Sequence, residues 1–147
     1  MRNQSDENGR GHIINMASMA GIAPVPGLAI YSASKFALRG YSHAIANELK
    51  QHAISITVVC PAGADTPLVQ PYKHKAEAAL IFIGPLLTIE QVVHAIVDRA
   101  LVKRPAEITL PRPRGVLAKL AGAWPGVAAL LVGPMTRSGL RNQAKVK

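Results

Sequence analysis

Three polar side chains near the start of the chain could act together on a carbonyl or alcohol group. Tyr31 and Lys35 are one helical turn apart, so a helix would place both side chains on one face. Ser18 follows the apolar run at residues 13–17, which indicates a buried strand, and a Pro- and Gly-rich loop joins the strand to the helix. The three groups would meet at the carboxyl end of a strand, where open α/β sheets bind their ligands.

This combination of side chains suits proton transfer to or from a substrate oxygen. The reference pKa of tyrosine is about 10, so its hydroxyl is a weak acid near neutral pH. A neighbouring ammonium group favours the phenolate, which makes the hydroxyl a better proton donor and acceptor. A serine hydroxyl could hold the substrate oxygen against the phenol. Because no side chain delivers a hydride, alcohol–carbonyl interconversion would need a nicotinamide cofactor.

Two segments around these residues resemble the active-site region of the short-chain dehydrogenase/reductase family. They cover residues 15–21 and 31–37, and they place Ser18 and Tyr31 13 residues apart. A third segment, at residues 56–67, resembles the next strand of that family and its cofactor-side turn. The resemblance implies that Ser18, Tyr31 and Lys35 are catalytic. Ser18 would position the substrate oxygen, Tyr31 would transfer the proton, and Lys35 would favour the phenolate and hydrogen-bond the nicotinamide ribose.

The resemblance also implies a cofactor site. The predicted cofactor-binding residues are Tyr31, Lys35, Pro61, Gly63 and Thr66. The sequence departs from the family at Ala62, where the family more often has glycine directly after the proline. We expect NAD or NADP, with NADP preferred. The 147 residues contain no glycine-rich turn of the kind that binds a dinucleotide pyrophosphate.

The fold class follows from strand and helix patterns. Apolar runs at His12–Ser18 and Ile54–Cys60 flank a helix predicted over Tyr31–Gln51, which indicates a right-handed βαβ unit. The first strand is expected to be buried on both faces, as in a parallel sheet. We therefore expect an α/β fold, the C-terminal part of a Rossmann-like doubly wound parallel sheet, with its first nucleotide-binding half missing.

Further patterns divide the chain into three parts. These are a disordered or loop segment at 1–10, the catalytic half of a Rossmann-like domain at 11–112, and a basic, apolar helical C-terminal extension at 113–147. Thr88 and Gln91 have capping-box spacing at the start of a helix that Pro105 ends. A short strand is predicted at 106–110. Residues 70–84 look partly helical and correspond by position to the family's variable substrate loop.

The composition limits the partners. Residues 103–147 carry nine Lys or Arg and one acid, Glu107, within a net charge of +9. The uncharged run at 120–135 is 16 residues long, whereas a membrane span needs about 20. This end could lie on a membrane surface, or it could form a helical lid over the substrate cleft or pack against a partner chain. Aromatic residues are not interleaved with the basic ones, so we predict no nucleic-acid partner.

The compartment and assembly can be predicted only in outline. Cys60 is the single cysteine and cannot form an internal disulfide, so we expect a reducing, cytoplasmic compartment. Peripheral attachment to a membrane through the basic C-terminal region is the alternative left open. The scattered histidines lack metal-ligand spacing, so we predict no metal. Small residues form one row on the first helix, namely Ala33, Ala37, Gly40, Ala44 and Leu49. Such a row lets a helix lie close to a sheet or a partner, and the resemblance implies a homo-oligomer.

These observations predict an NAD(P)-dependent oxidoreductase that interconverts an alcohol and a carbonyl in a small hydrophobic molecule, here as a truncated chain. The alternative is a catalytically inactive truncated remnant, or a module that binds a partner or a membrane. Half of a parallel sheet leaves an open edge, so we also expect the isolated chain to aggregate unless it pairs with another chain.

Overall fold

The computed structural model describes residues 11–145, with the backbone alone for Val127, and has an α/β architecture built on a three-stranded parallel sheet. Its regular elements in chain order are β1 (Gly11–Met16), α1 (Ala29–Leu49), β2 (Ile54–Pro61), α2 (Ile89–Ala95), β3 (Glu107–Leu110), α3 (Arg112–Ala123) and α4 (Pro125–Gln143). A π-helical stretch at Ile96–Leu101 extends α2, and 3₁₀ turns lie at Met19–Gly21, Lys50–His52, Gln70–Tyr72 and Ala76–Phe82.

The sheet has the order β1–β2–β3, and both strand pairs are parallel. Gly11 pairs with Ile54 in the first ladder, and Val58 pairs with Glu107 in the second. Because β2 has a strand on each side, its residues 57–60 have no exposed surface. The predicted α/β fold with a parallel sheet is confirmed.

β1 is less buried than its sequence predicts. Its residues from His12 to Asn15 are half-buried, and Met16 is 39% exposed. Among the described residues β1 pairs with β2 alone, so it lies at an edge of the sheet. The prediction of a strand buried on both faces is therefore wrong, because the residues of β1 from His12 to Met16 keep contact with solvent.

The side of α1 that packs on the sheet is not the side that carries the row of small residues. Its buried residues are Ser32 and Ser42, and Asn15 of β1 donates a hydrogen bond from Nδ2 to Ser42 Oγ at 2.9 Å. The residues Ala33, Ala37, Gly40 and Ala44 are exposed. A Cβ added at Gly40 would meet no atom within 4 Å among the described residues. This row does not approach the sheet, and its contact with a partner stays a prediction.

The helix after Thr88 begins where the capping box predicts. Thr88 Oγ1 accepts a hydrogen bond from Gln91 N at 3.2 Å, and Gln91 Oε1 accepts one from Thr88 N at 2.9 Å. Helical backbone continues through Lys103 and ends before Pro105, which cannot extend it. The short strand predicted at 106–110 is present as β3.

A buried carboxylate joins three elements. Only 8% of the Glu107 side chain on β3 is exposed, and its Oε2 accepts a hydrogen bond from Arg39 Nε at 2.5 Å and lies 3.2 Å from His43 Nε2, both on α1. Lys119 Nζ on α3 lies 2.7 Å from Oε1. Burial raises the pKa of Glu107, but hydrogen bonds from Arg39 and Lys119 and the positive charge of Arg39 outweigh it and lower the pKa to about 2. We call these four residues the Glu107 cluster.

The carboxyl end of α4 is attached to the segment between β2 and α2. Asn142 and Gln143 donate side-chain N–H groups to four backbone carbonyls of that segment, those of Tyr72, Lys75, Phe82 and Ile83, at 2.8–3.1 Å. Gln143 is 6% exposed, so its two acceptors are shielded from water. These four hydrogen bonds, the amide clamp, hold the region predicted to be the substrate loop against α4.

The Glu107 cluster gives a pH-dependent stability. The low pKa of Glu107 stabilises the folded chain above its ordinary pKa of 4.5, and this contribution is lost as pH falls from 4.5 through about 2. We expect Glu107→Gln to lower the free energy of unfolding by about 2 kcal/mol at pH 7, and by less at pH 3. Urea unfolding at both pH values measures this, with the exposed Glu48→Gln on α1 as the matched control. Equal losses at both pH values would contradict it.

Loss of the amide clamp should loosen residues 70–83. Gln143→Leu leaves two shielded carbonyl oxygens without donors, at a cost of about 1–3 kcal/mol. We expect amide hydrogen exchange to accelerate in that segment and to stay unchanged in β2. The control is Gln51→Leu, which removes an exposed side-chain hydrogen bond to the Glu48 carbonyl. Unchanged exchange at 70–83 would show that the clamp is not what orders the segment.

Candidate active site

Ser18 lies just beyond the carboxyl end of β1, as predicted. Its Oγ accepts a hydrogen bond from Ala20 N at 3.1 Å and so caps the 3₁₀ turn at Met19–Gly21. A Cβ added at Gly21 would lie 2.5 Å from the Lys35 carbonyl oxygen, so only glycine allows this turn to approach α1 so closely. Because the cap uses Oγ as an acceptor, the hydroxyl hydrogen of Ser18 remains available as a donor.

Tyr31 and Lys35 occupy the first two turns of α1 and face the same side. Lys35 Nζ donates a hydrogen bond to the Met16 carbonyl oxygen at 3.0 Å, which ties α1 to the end of β1. The same Nζ lies 5.6 Å from the centre of the Tyr31 ring. This is the distance at which an ammonium group interacts with an aromatic face. Both side chains are half-buried.

The loop before α1 is shaped by local contacts. Ser32 Oγ accepts a hydrogen bond from Val25 N at 3.2 Å, which folds the proline-containing segment back over the start of the helix. Gly27 has φ of 77°, in the left-handed region that favours glycine. A Cβ there would lie 2.7 Å from Glu77 Cγ, so the turn also packs tightly against the segment after β2.

The loop after β2 brings the predicted cofactor-binding residues to the same place. Leu87 N donates to the Gly63 carbonyl at 2.9 Å, and Asp65 N donates to the Leu87 carbonyl at 2.8 Å, which fixes this loop in an extended course. Thr66 Oγ1 makes a long, 3.4 Å contact with the Ala64 carbonyl. Gly63 is needed for packing, because a Cβ there would lie 2.5 Å from Ile81 Cγ2.

A single cavity of about 1010 Å³ connects these groups. Its walls include all of the residues that the sequence predicts as catalytic or cofactor-binding, namely Ser18, Tyr31, Lys35, Pro61, Gly63 and Thr66. The remaining walls are mostly apolar and come from the segment at 68–83 and from α3 and α4. The predicted residues are therefore together in space at the carboxyl ends of β1 and β2.

Two other reactive side chains lie near this region. Cys60 is fully buried, and burial raises the pKa of its thiol to about 11, so the thiol stays neutral and is no nucleophile. Arg114, in the first turn of α3, lines the cavity, and sequence reasoning did not find it. It has no motif spacing to Tyr31 or Lys35, and only the tertiary fold brings α3 to this site.

Comparisons with known proteins identify relatives of this chain. The family model described as short chain dehydrogenase matches residues 1–77. The chain is 46% identical over 63 residues to 3-ketodihydrosphingosine reductase from Dictyostelium discoideum. The aligned stretch covers 42% of this chain and 19% of that protein.

Solved structures show the same fold. A short chain dehydrogenase from Burkholderia cenocepacia in complex with NADP matches with a TM-score of 0.66 and 23% identity, over 82% of this chain and 47% of that one. A short chain dehydrogenase from Mycobacterium paratuberculosis bound to NAD matches with a TM-score of 0.54 and 27% identity, over 70% and 45%. The chain thus spans about half the length of these structures. The family match and the parallel α/β sheet lead to one conclusion: this chain belongs to the short-chain dehydrogenase/reductase family.

Proposed function

We propose that the chain carries the catalytic site of an NAD(P)-dependent oxidoreductase that interconverts an alcohol and a carbonyl. The observation that carries this proposal is the convergence of Ser18, Tyr31 and Lys35 on one wall of a mostly apolar cavity. Family membership supports the reaction class, and the site geometry supports the role of each residue.

Each residue of the group has a distinct task in carbonyl reduction. Ser18, held by its cap to Ala20, donates its hydroxyl hydrogen to the substrate oxygen. Tyr31 gives a proton to the same oxygen as the C=O bond becomes C–O–H, and it takes that proton back in alcohol oxidation. Lys35, held at the Met16 carbonyl, places its ammonium group 5.6 Å from the centre of the Tyr31 ring, where its charge would offset the negative charge that develops on Tyr31 during proton transfer.

The cavity also fits the nicotinamide end of a cofactor. A bound NAD(P) supplies or accepts the hydride at the substrate carbon. Lys35 and Tyr31 would face its ribose, the backbone around Pro61 and Gly63 would contact the nicotinamide end, and Thr66 would lie near the phosphates. The solved relatives hold NADP in one case and NAD in the other, which supports a nicotinamide cofactor. The preference for NADP stays a prediction.

The substrate class follows from the lining. Apolar side chains such as Leu80, Ile83, Leu117 and Val132 surround the polar group, so the substrate is a hydrophobic alcohol or carbonyl compound. The homo-oligomeric state and the cytoplasmic location stay predictions.

The proposal predicts that catalysis depends on the Tyr31 hydroxyl. We expect the chain to oxidise NADPH with an apolar ketone, and Tyr31→Phe to lower kcat/KM by about 10²–10⁴-fold because proton transfer is lost. The matched control is Tyr41→Phe, an exposed tyrosine on the same helix that does not line the cavity. Its activity should equal that of the wild type.

Two outcomes would contradict the proposal. Turnover that survives Tyr31→Phe would remove this residue from the chemistry. No turnover with NADH or NADPH over a panel of apolar ketones and alcohols would favour the alternative, an inactive remnant.

A second candidate function is attachment to an anionic membrane surface. Residues 111–147 carry seven Lys or Arg and no acid. At the corner between α3 and α4 the large apolar residues Leu120, Trp124 and Leu130 are 51%, 60% and 78% exposed. Exposed apolar side chains beside basic ones are typical of helices that lie at a bilayer surface. Within residues 11–145 no helix is both long and apolar enough to cross a membrane.

This candidate predicts salt-sensitive vesicle binding. We expect the chain to sediment with vesicles of phosphatidylserine and phosphatidylcholine at low salt and to be released at high salt, because ions screen the attraction. Trp124→Ser should weaken binding. Leu101→Ser should not, because this exposed leucine precedes β3 and lies outside α3 and α4. Equal binding to purely neutral vesicles, or none to either, would refute surface attachment through this end.

A further inference from the structure

Among the described residues that line the cavity, Arg114 is the charged side chain that the proposed reaction does not use. It lies in the first turn of α3, is half-buried, and shares the cavity with the polar group of Ser18, Tyr31 and Lys35. It reaches this wall from a different element than they do, because they come from β1 and α1. Burial lowers the pKa of Arg114, which is the sign of a charge that has lost part of its water.

The charge of Arg114 has little compensation inside the chain. Its Nη1 and Nη2 each lie 3.4 Å from the Pro85 carbonyl oxygen, which is long for a hydrogen bond. Within residues 11–145, no carboxylate forms an ion pair with it. By contrast, Arg39 and Lys119 share the Glu107 carboxylate. A half-buried guanidinium without an anion costs free energy, and a ligand anion would remove that cost.

The chain also makes room for this guanidinium. A Cβ added at Gly84 would collide with the Nη2 atom of Arg114 where it now lies, so glycine at this position leaves room for the guanidinium over the backbone of residues 84–85. The surrounding wall is apolar, with Leu80, Ile81 and Leu117 among its residues. The setting therefore combines one half-buried cation with apolar surroundings, which favours an anionic group attached to an apolar body.

We propose that Arg114 binds the carboxylate of an amphiphilic substrate whose apolar body fills the cavity. This proposal extends the proposed function and rests on it, because the proposed function places the reacting carbonyl at Tyr31. Arg114 would fix one end of the molecule by paired N–H···O contacts, which match the planar shape of a carboxylate. It would thereby decide which apolar alcohols and ketones are accepted. It is a specificity-determining residue and takes no part in hydride or proton transfer.

The test compares two ligands of equal length without any cofactor. Decanoate and decan-1-ol are titrated against the 147-residue chain by displacement of an apolar fluorescent dye. We expect decanoate to bind about tenfold more tightly than decanol, because one charge-assisted hydrogen bond contributes an affinity gain of about that size. Arg114→Met should bring decanoate down to the affinity of decanol and leave decanol unchanged. Arg112→Met is the control, because this neighbour is exposed and does not line the cavity.

Three results would overturn the proposal. Equal affinities of the wild type for the two ligands would do so without any variant, even if Arg114→Met failed to fold. If Arg114→Met still prefers decanoate to decanol, another cation binds the carboxylate, and Lys35 is the first to examine. If inorganic pyrophosphate displaces decanoate from the wild type but not from Arg114→Met, the site binds a cofactor phosphate and not a substrate carboxylate. Since none of these readouts involves turnover, they are independent of the Tyr31→Phe result.

Discussion

The geometry of the candidate site depends on the buried carboxylate of Glu107. α1 carries Tyr31 and Lys35, whereas α3 carries the opposite wall of the cavity, and Glu107 on β3 contacts cations from both helices. A carboxylate that is 8% exposed is costly unless its charge is matched. The same contacts that compensate this burial therefore also set the distance between the polar group and the apolar wall. The amide clamp completes the enclosure by holding the 70–83 segment against α4.

Within that enclosure, polar groups are few and their positions are fixed by the backbone. Ser18 is held by Ala20 N and Lys35 by the Met16 carbonyl, so neither has to reorganise when a substrate oxygen arrives. The lining around the Lys35 charge is mostly apolar, and a charge acts more strongly in apolar surroundings than in water. Neutral, buried Cys60 introduces no competing nucleophile. The site is thus suited to moving a proton at one point of an otherwise apolar molecule.

Local patterns predicted much of this structure, and long-range contacts account for the rest. The βαβ unit, the capping box at Thr88 and the shared location of Ser18 and Tyr31 follow from spacing within single elements and from the family resemblance. The partial exposure of β1 was missed, because a strand's hydrophobic run does not reveal how completely other elements cover its two faces. Arg114 and Gly84 were missed because residues 30 positions apart leave no periodic signal. The amide clamp joins residues 59–71 positions apart and was missed for the same reason.

Cofactor binding by the purified chain tests the central claim most directly. Titration calorimetry with NADPH and NADH would use the wild type, Lys35→Met, and Lys50→Met as an exposed lysine control at the end of α1. If Tyr31 and Lys35 face the nicotinamide ribose, the wild type and Lys50→Met bind saturably, and Lys35→Met binds at least about tenfold more weakly. Absence of binding into the millimolar range, or equal binding by Lys35→Met, would contradict the assignment of this cavity as the cofactor and substrate site.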